Sequence, residues 1–383
     1  MFFRRDVLLG KVLESFKGCF TKPQWQHFQT YISGLVLGGK NEKNVMDIAG
    51  NSLDGRSQSS LNRFLHSKSW SVRQVENKRL AIATRGKSGG VLSLDDTIIE
   101  KYGSHMEGAG WFYDHTTGRK VWGYNFVSTL YSNGEEQIPL SFAPYVKAED
   151  GNRIGRHFKT KIQLGRELLE KALFYVEPEA VVFDSWYGAK ETFDFLTSRG
   201  QTWITEAKTN RVIQWEDNWL QIKQVFKKIP KKAHKRINAD IKASRFKWYI
   251  ELETVMKNVG KVKLVFLRKR KNSKTFTTLI TNNTSLTTSQ IIQYYKRRWD
   301  IEVFYRDCKQ HLGMGEYQVR KLDAVVRHLH LVFLAYTILK GLACNPHPFS
   351  HILKGIKTIG TICQRLKRWT LNHLIKTPKP HPT

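Results

Sequence analysis

Residues 180–188 read AVVFDSWYG, and this stretch limits the possible folds more than any other. A short apolar run that stops abruptly at an acid, with a glycine four residues on, is the pattern of a buried strand whose C-terminal tip carries a functional group. Such a strand needs cover on both faces. A helical pattern from about Lys159 to Leu173 precedes it, and VLSLDDTII (91–99) and WITEAK (203–208) read as further strands. VWGYNFVSTLYS (121–132) and IPLSFAPYV (138–146) are rich in β-branched and aromatic residues and are separated by the turn SNGEE. Strands and helices in this order predict an α/β core.

The flanks differ in texture. Residues 1–88 read as a helical N-terminal domain expected to bind DNA. Trp25, Phe28, Tyr31 and Ile32 have helical spacing, and Leu61, Phe64 and Leu65 form a second apolar stripe after Ser57–Ser60, which can supply an N-cap. Helices over Asn44–Asn51 and Gln58–His66, joined by a Gly/Asp turn, could form a helix-turn-helix or simply pack together. RGKSGG (Arg85–Gly90) is the expected linker. Residues 89–211 and 281–345 then form two parts of the core, separated by a β-rich basic insertion at 212–280. Within it Lys223–Lys247 holds ten Lys/Arg and one acid, Asp240. KWYIELETVMK and KVKLVFLRKRKNSKTFTTLITN alternate like hairpin strands. Lys261–Lys274 carries seven Lys/Arg and no acid; we read it as a phosphate contact rather than a merely solvated hairpin. One long helix is expected from near Thr287 to Gly313 and an apolar one over Ala324–Leu342. Residues 346–383 read as a basic tail, its TPKPHPT end expected to be disordered.

The charge balance points to partners rather than fold. Lys plus Arg total 63 against 33 Asp plus Glu, a formal charge of +30 over 383 residues. The expected partner is a polyanion, and nucleic acid is the commonest. Cys19, Cys308, Cys344 and Cys363 make no Cys-x-x-Cys pair, so neither a zinc site nor a redox motif is indicated. Scattered free thiols fit a reducing cytoplasm. MFFRRDVLLGKVLESF is interrupted by Asp6, Lys11 and Glu14 and does not read as a signal peptide, and the apolar run Leu331–Leu339 is too short to span a bilayer. The expectation is a cytoplasmic, nucleoid-associated protein with no membrane partner.

Three acids stand out by position. Asp96 is expected to end the first strand and Asp184 the fourth, while Glu302 lies in the long helix. Phosphoryl transfer to DNA uses two divalent metals about 4 Å apart, held by such carboxylates; one activates the nucleophile and the other stabilises the leaving oxygen. On a continuous helix at about 100° per residue, Tyr295, Arg298, Glu302 and Lys309 fall within about 60° of arc. Asp300 lies opposite Glu302, and Asp307 is off the stripe. One face thus carries a phenol, a guanidinium, a carboxylate and an ammonium, the acid suited to metal and the cations to phosphate. A solvated face with i,i+4 links Arg298–Glu302 and Glu302–Arg306 explains the spacing equally well.

The spacing Tyr295-x2-Arg298-x3-Glu302-x6-Lys309 resembles the YREK signature of bacterial insertion-sequence transposases of the DDE class, all four residues matching. LDDT (Leu94–Thr97) looks like that family's first-Asp strand, and VVFDSWYG like its second. The resemblance covers about residues 90–340. It implies an RNase H-like fold with a β-stranded insertion between the second Asp and the Glu. It also implies cleavage at transposon ends with Mg²⁺ or Mn²⁺, two per active site, and strand transfer by a 3′-hydroxyl, often through a hairpinned end. By carry-over Asp96, Asp184 and Glu302 ligate metal, Arg298 and Lys309 hold phosphates, and Tyr295 bonds to one. LDDT offers both Asp95 and Asp96. The family's Thr after the catalytic Asp favours Asp96, and period-two alternation lets only one of the two point into the site.

Other residues admit two readings each. Lys208 and Arg211, after the WITEAK strand, could reach the DNA backbone or be surface charge. His115 and Arg119 sit in the loop HTTGRK. Trp299 and Trp248 could stack on a flipped base, although packing is the commoner role. His328 and His330 read as ordinary residues at the core edge. The partners implied are double-stranded DNA (transposon ends with inverted repeats, and target DNA) and a second copy of the chain, since bringing two ends together needs two protomers. The competing readings are a nuclease that cleaves without joining, a domesticated or inactive DNA-binding protein, and a basic RNA-binding module, for which no RNA-binding signature is present.

Overall fold

The structure, a computed structural model, describes residues 3–4, 9–237, 246–271 and 273–376. The expectations for the stretch around Asp240 and for TPKPHPT fall on residues 238–245 and 377–383, outside the described residues.

The strands predicted for the core are present: β1 Val91–Glu100, β3 Arg119–Ser132, β4 Gln137–Tyr145, β5 Ala180–Phe183 and β6 Trp203–Glu206. β1 and β4 lie antiparallel on either side of β3, and β5 and β6 continue beside β1 as parallel strands. This is a mixed α/β sheet, in the order that an RNase H-like core requires. β5 shows why a four-residue strand is apolar throughout. Val181 and Phe183 pack on one face with Leu164, Leu168 and Phe193, while Ala180 and Val182 pack on the other with Ile291 and Ile292. The first face is covered by helices α5 (Lys161–Tyr175) and α6 (Lys190–Ser198), the second by α8 (Thr288–Lys296).

One strand was not foreseen. β2 (Gly110–Asp114) forms a hairpin with the start of β3. The strands of the insertion join the core sheet. They are β7 (Val212–Trp215), β8 (Asn218–Gln221), β9 (Lys235–Arg236), β10 (Trp248–Met256), β11 (Gly260–Arg268) and β12 (Thr277–Thr281), with β12 antiparallel to β6. A short helix, α7 (Ile222–Lys228), lies among them.

The long helix near Glu302 is broken. α8 ends at Lys296 and α9 runs from Trp299 to His311, with a turn at Arg297–Arg298. α9 stops at Leu312, where Gly313 takes φ +66°, a left-handed conformation that glycine adopts without a steric cost.

The N-terminal helices are α1 (Lys22–Leu37), α2 (Val45–Asn51), α3 (Gln58–His66) and α4 (Val72–Ala83). Ser57 caps α3, its hydroxyl accepting from the Ser60 amide. These helices do not bury their apolar stripes against one another alone. Phe28, Tyr31, Leu35, Leu61 and Phe64 share one continuous core with Phe304 of α9, Leu329 and Phe333 of α10 (Leu322–Cys344), and Ile362 and Leu366 of α11 (Ile359–Lys376). The segment read as a basic tail therefore contains a packed helix. α10 is long and apolar enough to cross a membrane, but 83% of its apolar window is buried inside the fold.

His328, in the middle of α10, is fully buried rather than at the core edge. Its Nε2–H donates to the Gly313 carbonyl (3.0 Å), which leaves Nδ1 to accept from the Tyr31 hydroxyl (2.8 Å). Burial pushes its pKa down to about 3, with Lys101 adding repulsion, so the ring is neutral. The folded value lies below the ordinary 6.5. The unfolded chain therefore takes up the proton first. The associated stability is complete above about pH 6.5 and is lost as pH falls toward about 3. The urea midpoint is expected to drop between about pH 7 and about pH 5, and to drop less in His328→Gln. An equal drop in both proteins would remove His328 as a cause.

Candidate active site

β5 pairs with β1 only from Val91↔Ala180 to Leu94↔Phe183. β1 runs six residues further, to Glu100. Asp96 is thus in the middle of β1 rather than at its end, and Asp184 stands one residue past the tip of β5. The Asp184 carboxylate accepts from the backbone amides of Trp186 (2.9 Å) and Tyr187 (3.3 Å), which fixes the turn that follows it.

The two β1 acids face opposite sides of the sheet, as alternation requires. Asp95 lies under α9. Its carboxylate meets Arg298 at 3.0 Å, and its carbonyl accepts from the Tyr305 hydroxyl at 3.0 Å. Asp96 lies toward α5. It takes Lys161 at 2.7 Å and Asn125 Nδ2 at 2.7 Å on one oxygen, and the Tyr187 hydroxyl at 2.9 Å on the other. Glu302 belongs to the Asp95 side, joined to it by Arg298, whose second nitrogen is 2.6 Å from the Glu302 carboxylate. One guanidinium therefore bridges an acid of β1 and the acid of α9. Of the two acids that LDDT offers, Asp95, not the favoured Asp96, is the one in contact with Arg298 on Glu302's side of the sheet.

The remaining residues of the stripe follow the same line. Lys309 Nζ donates to the Ile98 carbonyl at 2.8 Å. Arg298, Tyr305 and Lys309 thus tie α9 along β1 from Asp95 to Ile98. Tyr295 is on the other side of the helix break, yet its ring stays 5.8 Å from the Arg298 guanidinium. Burial pushes its phenol above the ordinary value. Asp300, expected on the opposite side of the helix, is bound by the Ser132 hydroxyl.

Lys208 is exposed on the loop after β6, whereas Arg211 is half-buried. Arg211 donates to the Gly188 carbonyl and lies 5.3 Å from the Phe193 ring, so it braces the turn that follows Asp184. Trp299 is exposed, Trp248 lies beside Lys271, and Arg119 pairs with Glu100 at the β2–β3 hairpin. Lys161, Asn125, Tyr187 and Tyr305 were not foreseen. Asn125 and Lys161 come to Asp96 only through register and helix placement, which the one-dimensional sequence does not display. Tyr187, three residues after Asp184, and Tyr305, three after Glu302, had a positional cue.

The electrostatics show what these acids need. Burial pushes the Asp95 carboxyl up to about 7 despite Arg298, and Asp184 and Asp96 add repulsion. Burial, then Asp96 and Asp95, push the Tyr187 phenol well above its ordinary value, so it remains a donor. Among the described residues no three His, Cys, Asp or Glu side chains are gathered to hold one metal ion as they stand. The donors at this end of the sheet are nonetheless all carboxylates, the chemistry that suits Mg²⁺ and Mn²⁺.

A sheet whose adjacent strands each present an acid, crossed by a helix that presents a third, defines a carboxylate-based phosphoryl-transfer fold. Residues 15–241, more than half of the chain, match the family model described as DDE superfamily endonuclease, and the chain belongs to that family. Its members are metal-dependent nucleases and transposases that act on DNA. The matched span includes Asp95, Asp96 and Asp184 and stops before Glu302. No curated protein matches the chain.

Among the described residues, Arg298 is the ion-pair partner of both Asp95 and Glu302. Arg298→Ala is expected to cost about 3–5 kcal/mol in a urea melt by leaving buried Asp95 uncompensated, and Asp95→Asn in that background should recover part of the loss. Additive losses would show that the pair is not coupled.

Proposed function

We propose that this chain is a DDE transposase of the insertion-sequence type, which cleaves DNA at transposon ends and joins the freed 3′-hydroxyl to target DNA. The observation that supports this reading most is the seating of α9 along β1, which presents Glu302 at the end of the sheet where the strand acids lie. In this reading Asp95, joined to Glu302 through Arg298, takes the role expected of Asp96 from the sequence, and Asp95, Asp184 and Glu302 would hold two Mg²⁺ or Mn²⁺ ions. When bound, those ions activate the attacking oxygen and stabilise the leaving one.

The chain's own residues have separate duties. Asn125, Tyr187 and Lys161 hold the Asp96 carboxylate on the other face of the sheet by hydrogen bonds. Arg298 pairs with both Asp95 and Glu302 and holds the two carboxylates together. Lys309, Lys208 and Tyr295 are assigned to phosphates of the DNA end, and Arg211 to the turn that follows Asp184. Two protomers are required to pair two ends, so the working form is a dimer on DNA in the bacterial cytoplasm.

The test is cleavage of a labelled duplex carrying the gene's own flanking ends, with Mg²⁺ or Mn²⁺. Wild type is expected to nick at the end, and Asp95→Asn, Asp184→Asn and Glu302→Ala to lose more than about 10³-fold of that rate while still binding DNA. Asp96→Asn, on the other face of the sheet, is expected to lose roughly 10–100-fold. Full loss in Asp96→Asn with retained cleavage in Asp95→Asn would exchange their roles. Nicking without joined products would support the nuclease reading, and binding without nicking would leave only a DNA-binding protein. End binding is also expected to weaken steeply with salt, by roughly 0.9 in log–log slope per neutralised phosphate; a flat profile would refute the polyanion argument.

A further inference from the structure

Asp96 faces away from Glu302, yet a single residue connects it to the candidate site. Its carboxylate takes Lys161 and Asn125 on one oxygen and the Tyr187 hydroxyl on the other. All three are donors, so the protein itself fills this carboxylate, and its lining does not suit a divalent cation. The register of β1 and β5 shows what Tyr187 does besides. Val91 pairs with Ala180 and Ser93 with Val182, on the face that α8 covers. One step past the last pair, Leu94 and Phe183, the same register sets Asp184 beside Asp95 on that face. Tyr187, three residues further, packs on the opposite face with Leu94 and Phe183. The turn after β5 thus passes around the end of the strand. Gly165 of α5 leaves room for the ring: a Cβ there would stand 3.0 Å from the Leu94 side chain and 3.4 Å from Tyr187.

Tyr187 therefore touches both acids. Its amide meets Asp184 Oδ1 at 3.3 Å, and its buried hydroxyl meets Asp96 at 2.9 Å. The Trp186 amide also goes to Asp184 Oδ1, and among the described residues Oδ2 takes no donor. We propose that Asp96 is a positioning residue: anchored by Lys161 and Asn125, it holds the Tyr187 hydroxyl, and Tyr187 in turn fixes the Asp184 carboxylate so that Oδ2 is presented to a divalent cation. The inference rests on the reading of Asp184 as a metal-holding acid. Its physical basis is that two backbone amides fix a carboxylate only as well as their own turn is fixed. A hydroxyl bonded to an ionised carboxylate is a strong tie. Arg211 braces the far end of the same turn at the Gly188 carbonyl, and Asp96 braces its middle through the far face of the sheet.

The experiment is Mn²⁺ titration of the full-length, DNA-free chain by calorimetry. Tyr187→Phe removes one hydroxyl and keeps the buried ring. It is expected to bind Mn²⁺ about 10–100-fold more weakly than wild type, the range for a lost outer partner of a metal ligand. Asp96→Asn is expected to weaken binding within the same range. In the Tyr187→Phe background it should add almost nothing, because both changes act through one hydrogen bond. Wild-type binding in either single variant, or losses that add in the double variant, would overturn the proposal. Asp184→Asn separates it from the reading beneath it. Loss of tight Mn²⁺ binding there with wild-type binding in Tyr187→Phe sinks the positioning role alone, whereas wild-type binding in Asp184→Asn sinks the metal seat itself. In cleavage of the flanking-end duplex, the deficit of Tyr187→Phe is expected to shrink as Mn²⁺ is raised. An equal deficit at every Mn²⁺ concentration would refute a role in holding the ligand.

Discussion

Glu302 is placed only as well as α9 is held, and α9 is held by aromatic packing. Phe304 stands edge-on to Phe333 at 5.0 Å and to Tyr336 at 4.8 Å, both on α10. The next residue, Tyr305, turns to β1, where its hydroxyl accepts from Ser128 and donates to the Asp95 carbonyl. One turn of helix thereby grips α10 on one side and the sheet on the other. A displacement at either would move the carboxylate relative to the strand acids, and positioned groups lose effect over about an ångström. Since α10 is in turn packed by the N-terminal helices, residues far from the acids take part in holding them.

The site solves a problem of charge as much as of shape. Four carboxylates stand at one end of the sheet, in a chain that is otherwise strongly basic. Left alone they would repel one another, and the raised Asp95 carboxyl records that repulsion together with burial. Two cations answer it in different ways. Arg298 is built in, with a planar fork that matches two acids at once. Lys161, as deeply set as Arg298, pairs with Asp96 beside the rings of Tyr145 and Trp186. The same end of the sheet is therefore stable without metal and still has carboxylate oxygens to offer one.

Much of this was legible in the sequence, and the failures have physical reasons. AVVF read as a buried strand because both its faces are covered, and the run has no polar position to blur it. Residues 298, 302 and 309 read as one face because α9 does present them along β1. The break at Arg297–Arg298 was hidden because both residues are good helix formers with right-handed angles. Spacing cannot report a turn that keeps helical dihedrals. β2 was missed because GWFYD is short and exposed on alternate positions. The insertion strands read correctly as strands, but their joining to β6 is a long-range pairing that no local pattern encodes. The helical tail was judged by charge, which concealed the stripe of Ile359, Ile362 and Leu366 beneath it. The choice between Asp95 and Asp96 turns on which helix covers which face, and alternation alone leaves that open.

The shared helical core has a consequence for how the protein is made. Synthesis runs from the N-terminus, and segments fold as they gain partners. Residues 22–83 leave the ribosome long before α10 and α11, whose side chains complete their core. Until then Phe28, Tyr31 and Phe64 lack their final neighbours and are exposed to aggregation or to chaperones. The sheet from β1 to β6 can assemble earlier, but α9 and the α10 it packs on are translated later. The enzyme therefore gains its third carboxylate near the end of synthesis, so a nascent or truncated chain carries its two strand acids without the helix that completes the set.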